Sequence, residues 1–185
     1  MLGKEEMLYE AINIASTKHR GQKDKGGSPY ILHPLAVMNS VRTIDEKIVA
    51  ILHDIIEDTD VTKEDLYAIF DKDIVEAVDT ISKKKGQRYE EYIELIKNNK
   101  LARKVKIADY KHNLDISRLN RECTDEDLKR VNKYVKYMIY LNSDHKEDFD
   151  VVCPRCASRN NYSIEGNQEL HVKCSRCEYI TEIEE

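Results

Sequence analysis

"HDIIEDTD", His53 to Asp60, closes the apolar run "KIVAILHDIIED". One histidine and three acids fall between His53 and Asp58, in a segment otherwise built of isoleucine, valine and leucine. At about 100° per residue, a helix through this run has two faces. Ile48, Val49, Leu52, Ile55 and Ile56 share one face; His53, Asp54, Glu57 and Asp58 share the other. No lysine or arginine follows until Lys63. Carboxylates at the C-terminal end of a helix oppose its dipole by about 0.3–1 kcal/mol each. A divalent cation is the simplest offset. An acidic helix end bathed in water is the plainer alternative.

Working outward, the first 145 residues read as helices. "KEEMLYEAINIASTKH" places Met7, Leu8, Ala11, Ile12 and Ala15 at helical spacing. A Gly- and Lys-rich loop, "RGQKDKGGSPYILHP", follows. Pro34 suits the first turn of the helix "PLAVMNSVRT", with His33 as its N-cap. "TKEDLYAIF" opens on a capping box of Thr62 and Asp65. "KDIVEAVDTIS", "QRYEEYIELIKNN" and "LARKVKIADYKHNLDIS" are three more helices, and "DEDLKRVNKYVKYMIYLNS" is a long one capped by Thr124. The polar stretch "SDHKEDFD" marks a boundary. It divides a helical domain, residues 1–145, from a cysteine-rich tail, residues 150–185.

His53 and Asp54 supply two adjacent ligands of hard-to-borderline character. One more histidine and one more carboxylate would complete an N/O site with open water positions. His33 in "PYILHP" is one candidate. Asp109 in "VKIADYKHN" is another, since an acid in a mostly aliphatic segment needs a partner. Asn113 shares its face one turn on. His19 and His112 are weaker candidates.

Taken together, "HRGQKDKGGSPYILHPLAVM", "AILHDIIEDTD" and "VKIADYKHNLDISRL" resemble, in order, the signature segments of the HD-superfamily alarmone hydrolases. These are the ppGpp hydrolase domains of RelA/SpoT homologues and the stand-alone small alarmone hydrolases. The resemblance covers residues 5–140. It implies an all-α HD-domain bundle and one Mn²⁺ held by His33, His53, Asp54 and Asp109. It also implies Glu57 and Asp58 as the catalytic acidic pair, Asn113 on the substrate side and Lys25 near the substrate phosphates. Lys23 and Lys83 are further candidates to offset phosphate charge. The synthetase domain of long members is expected to be absent. The implied reaction removes the 3′-pyrophosphate of ppGpp or pppGpp. Asp24 departs from the pattern: alarmone hydrolases usually carry at this position an arginine thought to stack on guanine, and a carboxylate cannot do so. Two alternatives stay open, an HD-type phosphohydrolase of another nucleotide, such as a nucleoside monophosphate, and a non-catalytic nucleotide- or partner-binding scaffold.

In the tail, "CPRC" (Cys153, Cys156) and "CSRC" (Cys174, Cys177) form CxxC pairs with the spacing of a zinc ribbon. "NNYSIEG" and "ELHVKC" alternate like two short strands around a turn. A structural Zn²⁺ would fold a segment too small for a core of its own. Cys123 is left over as a plain thiol. From residue 151 onward there are four basic residues against six acids, and the whole chain carries a net charge of −5. Nucleic-acid binding is therefore not expected, and a protein-contact or structural role for the ribbon is the expectation. No apolar run approaches the ~20 residues of a membrane span. The start "MLGKEEMLYE" is no signal peptide, so a cytoplasmic protein is expected.

Overall fold

The structure is a computed structural model. It describes residues 2–143 and the backbone of residues 150–152, 159–165, 171–174 and 180–181. The chain divides into two compact units, residues 1–112 and 113–185. The expected boundary between residues 145 and 150 lies outside the described residues.

The first unit is helical, as expected. Its helices are α1 (Lys4–Lys18), α2 (Leu32–Asn39), α3 (Ile44–Leu52), α4 (Ile55–Asp58), α5 (Lys63–Tyr67), α6 (Lys72–Ile81), α7 (Tyr89–Asn98) and α8 (Lys100–Asn113), the last of which runs one residue past the unit. α3 is the hub. It packs against α1, α2 and α6, and α6 packs in turn against α5 and α7. Ile48, Val49, Ala50, Ile51 and Leu52 are all fully buried. A helix apolar on every side belongs in a core, so the two-faced reading of this run applies only beyond Leu52.

The N-terminus of α3 is held from two directions. Glu46 N–H donates to Thr43 Oγ1 at 3.2 Å, and Glu46 Oε2 accepts from the N–H groups of Thr43 and Arg42 at 3.0 Å each. Lys104 on α8 donates to Glu46 Oε1 at 2.7 Å. Burial alone would raise the Glu46 pKa; Lys104 and the two N–H groups outweigh it and hold the carboxyl at about 2.

Two expectations need correction. The His53 segment is not one continuous helix. α3 ends at Leu52, and α4 resumes at Ile55 after a turn at His53 and Asp54. Asp54 (φ −103°, ψ 2°) lies near the bridge region of backbone space, where many active-site residues sit. Second, Pro34 is not the first residue of its helix and His33 is not the N-cap. The N-cap is Ile31, because the turn before it is already helical: Leu32 N–H bonds Pro29 O at 3.1 Å and His33 N–H bonds Tyr30 O at 2.9 Å. Pro34 still falls in the first turn, where a missing N–H costs nothing. The capping boxes at Thr62 and Thr124 are present as expected.

The second unit holds a 3₁₀ turn (Ile116–Arg118) and α9 (Asp125–Asn142), which buries Val131, Val135, Met138 and Leu141. Its strands β1 (Asp150–Val152), β2 (Arg159–Glu165), β3 (His171–Cys174) and β4 (Ile180–Thr181) pair antiparallel in sequence order, with Tyr162 opposite Cys174. Cys153, Cys156 and Cys177 lie outside the described residues, and Cys174 is described only as the backbone end of β3. Cys123 is exposed.

Candidate metal centre

α2 contributes His33, the α3–α4 turn contributes His53 and Asp54, and α8 contributes Asp109. One ligand atom from each of His33, His53 and Asp109 lies within 4.8 Å of the others, and all three residues are buried. His33 Nε2 is 3.2 Å from both His53 Nε2 and Asp109 Oδ1. Asp54 Oδ2 joins them, 2.8 Å from His53 Nε2 and 3.7 Å from His33 Nε2. The four residues expected from sequence thus converge.

The rings are aimed by their far nitrogens. His53 Nδ1–H donates to Ala50 O at 2.7 Å, which turns Nε2 toward the cluster. His33 Nδ1 is 2.7 Å from His112 Nδ1, so His112 orients His33 without joining the cluster. Burial would lower the His53 pKa, but the charges of Asp54 and Asp109 outweigh it and raise it to about 9. Burial would raise Asp54, but the His53 charge dominates and holds it at about 2. Asp109 is held below the usual carboxylate range by Lys106 and the two histidines, against its burial. Two imidazole nitrogens and two ionised carboxylates form a borderline-to-hard donor set that suits a divalent cation, which can replace the shared protons.

Around this set the structure places two residues that periodicity did not single out, Tyr30 and Lys106, and the weaker candidate His19. The Tyr30 hydroxyl donates to Asp54, and burial with the nearby acids keeps the phenol protonated far above its usual range. Lys106 Nζ pairs with Asp109 Oδ2 at 3.0 Å. The visible sign was a cation one turn before an acid on one helix face. His19 is 2% exposed; its Nδ1 meets Gln22 Oε1 at 2.7 Å and its ring packs 4.9 Å from Tyr30. It supports the site through Tyr30.

Glu57 and Asp58 stand one turn beyond Asp54, both exposed at the rim. Glu57 Oε2 accepts the Lys83 backbone N–H at 2.9 Å, tying α4 to the loop after α6. A cleft of about 440 Å³ runs there, lined by Ile56, Glu57, Ser82, Lys83, Lys84 and Lys85. Partial enclosure and the Asp54 charge push the Asp58 carboxyl above its ordinary range. Lys23 and Lys25 are exposed on the loop between α1 and α2, and Asn113 closes α8 half-buried. Asp24 faces inward along that loop. Its Oδ1 accepts from Gly26 N–H at 3.0 Å and Ser28 N–H at 2.9 Å, and Gly27 turns the chain at φ 85°. Asp24 is therefore the staple of the loop.

The helical bundle with a buried His/Asp cluster defines a class, the HD domain. The sequence profile of that family matches residues 11–116, and the chain belongs to the family. An HD domain implies a divalent metal, in accord with the His33, His53 and Asp109 cluster.

Among individual relatives, the chain is 35% identical over 146 residues to the zebrafish (Danio rerio) guanosine-3′,5′-bis(diphosphate) 3′-pyrophosphohydrolase MESH1, covering 71% of this chain and 79% of that protein. It is 43% identical over 82 residues to a guanosine-3′,5′-bis(diphosphate) 3′-pyrophosphohydrolase of Vibrio cholerae, and 38% identical over 80 residues to the bifunctional (p)ppGpp synthase/hydrolase SpoT of Escherichia coli. These matches cover 42% and 41% of this chain but only 12% and 11% of the long bacterial proteins. A solved structure described as "A metazoan ortholog of SpoT hydrolyzes ppGpp and plays a role in starvation responses" is similar in fold. Its TM-score is 0.63 at 25% identity, over 73% of this chain and 84% of that one.

Proposed function

We propose that this chain removes the 3′-pyrophosphate from guanosine polyphosphates, converting ppGpp or pppGpp to GDP or GTP, at a centre held by His33, His53, Asp54 and Asp109. The observation that carries this reading is the convergence of those four side chains, with Glu57 and Asp58 one turn beyond, in a chain similar over most of its length to a 3′-pyrophosphohydrolase. We assign Mn²⁺ to the site, since two imidazoles and two carboxylates suit it. A cation held by these four residues would supply Lewis-acid charge and lower the pKa of a water beside it.

The protein's own groups do the rest. Glu57 and Asp58 orient the water, take its proton and return one to the leaving 3′ oxygen as the bond from that oxygen to phosphorus breaks. Lys23, Lys25 and Lys83 offset phosphate charge, and Asn113 contacts the substrate. Tyr30 holds Asp54. Among the described residues no helix is long and apolar enough to cross a membrane, and a cytoplasmic site of action accords with that.

One observation favours a second reading within the same chemistry. With Asp24 committed to its loop, the guanine-stacking group expected there is missing, which suits a phosphohydrolase with looser base preference. A cation-supplemented assay over ppGpp, pppGpp and nucleoside monophosphates separates the two. Pyrophosphate release from ppGpp with Mn²⁺, abolished by chelator, is the expected result. Turnover of monophosphates with none of ppGpp overturns the first reading.

For residues 150–185 we propose a separate zinc ribbon following the hydrolase domain of residues 1–145. Cys153, Cys156, Cys174 and Cys177 hold one structural Zn²⁺, and its surface serves a protein partner. The CxxC spacing and the antiparallel β2–β3 pair support this. About one zinc per chain, lost in Cys174→Ser while Mn²⁺ binding persists, is the expected outcome.

A further inference from the structure

We propose that Lys106 is a positioning residue that makes Asp109 a one-oxygen ligand and so selects a compact six-coordinate cation over calcium. The inference rests on the metal centre proposed above.

The two oxygens of Asp109 have different surroundings. Oδ1 faces the cluster, 3.2 Å from His33 Nε2 and 3.8 Å from His53 Nε2. Oδ2 is turned to the Lys106 ammonium at 3.0 Å. That ammonium is not a mobile surface charge. It lies 5.5 Å from the centroid of the Tyr92 ring and 5.1 Å from that of Tyr110. The rings are themselves locked: the Tyr92 hydroxyl donates to Ile81 O at 2.5 Å, and the Tyr110 and Tyr89 hydroxyls lie 2.7 Å apart. A cation enclosed this way needs the carboxylate it meets, because an uncompensated buried charge is costly. Lys106 and Asp109 also share one face of α8, three residues apart, so helix geometry fixes the pair.

The consequence is one of coordination. Calcium takes six to eight oxygens at about 2.3–2.6 Å and often gains two of them from one bidentate carboxylate, whereas smaller divalent ions take six ligands in near-octahedral geometry. A carboxylate with one oxygen committed to an ammonium offers a single donor. Calcium loses more by this than Mn²⁺ does. The ammonium's positive charge lowers affinity for both ions alike, so its steric and hydrogen-bonding role shows in the ratio of affinities.

Calorimetric titration of the full chain with Mn²⁺ and with Ca²⁺ tests the idea on wild type, Lys106→Met and Lys106→Arg. Neighbours that hold a ligand are worth about 10- to 100-fold in metal affinity. The expected result for Lys106→Met is a Mn²⁺-over-Ca²⁺ preference reduced about tenfold, with Lys106→Arg keeping most of it. A Lys106→Met protein that binds both ions with the wild-type ratio, whatever its thermal midpoint, shows a merely structural lysine and overturns the proposal. Should Lys106→Met fail to fold, the Mn²⁺-loaded wild-type crystal structure decides. Oδ1 alone on the ion with Oδ2 still on Lys106 supports the proposal, and both oxygens on the ion overturn it. A wild type that binds no divalent cation overturns the metal centre itself, and this inference with it; normal Mn²⁺ binding with an unchanged ratio removes only this inference.

Discussion

The side of the site built on α3 and α8 differs from the side built on residues 20–30 in how its geometry is held. His53 follows five consecutive fully buried residues, and Asp109 lies on a helix whose Val105, Ala108 and Tyr110 are buried. Moving either ligand means moving the core. By contrast, Lys23 and Lys25 stand exposed on a loop closed by one carboxylate, two N–H groups and a left-handed glycine. That loop can change its surface without disturbing a packed layer. The contrast teaches that the His/Asp cluster is tied to folding itself, whereas the loop of residues 20–30 offers exposed positions that the core does not constrain.

Glu57 and Asp58 stand between the two sides, and they test where the boundary falls. Glu57→Gln or Asp58→Asn should retain the bound cation and lose about 10²- to 10⁴-fold in turnover, as removal of a general acid–base group does. Parallel measurement of kcat and cation affinity decides. A matching loss of cation would move these acids into the ligand set and erase the distinction.

A smaller effect probes the rigidity of the buried side. Glu46→Ala removes the carboxylate that accepts from the Arg42 and Thr43 N–H groups and the Lys104 contact, and should cost about 1–2 kcal/mol at pH 7 in urea unfolding. Its folded pKa, about 2, lies below the unfolded value near 4.5. The electrostatic part of its stabilisation is therefore fully present above pH 4.5 and fades as pH falls through about 2. The gap between wild type and variant should narrow as the unfolding series is taken from pH 7 into acid. A gap independent of pH would mean that the carboxylate charge contributes nothing.

The smallest effect is expected at Asp24. An arginine there could gain about 0.5–2 kcal/mol by stacking on a base. It would also lose the two hydrogen bonds that close the loop, about 1 kcal/mol each. The two nearly cancel, so kcat/KM of Asp24→Arg for ppGpp should stay within about threefold of wild type. A tenfold gain would show that the loop closes without its staple and that the base is read at position 24.

Much of this protein was legible in its residues alone. Periodicity marked the helices, and Thr62 and Thr124 announced two helix starts because capping is a local matter between residues three apart. His33, His53, Asp54 and Asp109 stood out because histidines and acids in aliphatic segments conflict with burial unless they meet one another. What lay beyond local rules came from packing. The break after Leu52 sets His53 and Asp54 in a turn, and the helical turn before His33 displaces the start of α2 from Pro34 to Leu32. Tyr30 carried no periodic signal of its own, and the helical spacing of Lys106 and His112 from Asp109 did not say what each would meet. Their roles come from approaches such as that of Tyr30 to Asp54 and of His112 to His33, which join residues 24 and 79 positions apart. A chain reveals by its spacing which groups need partners, but only the packed core decides which distant side chain arrives to satisfy each one.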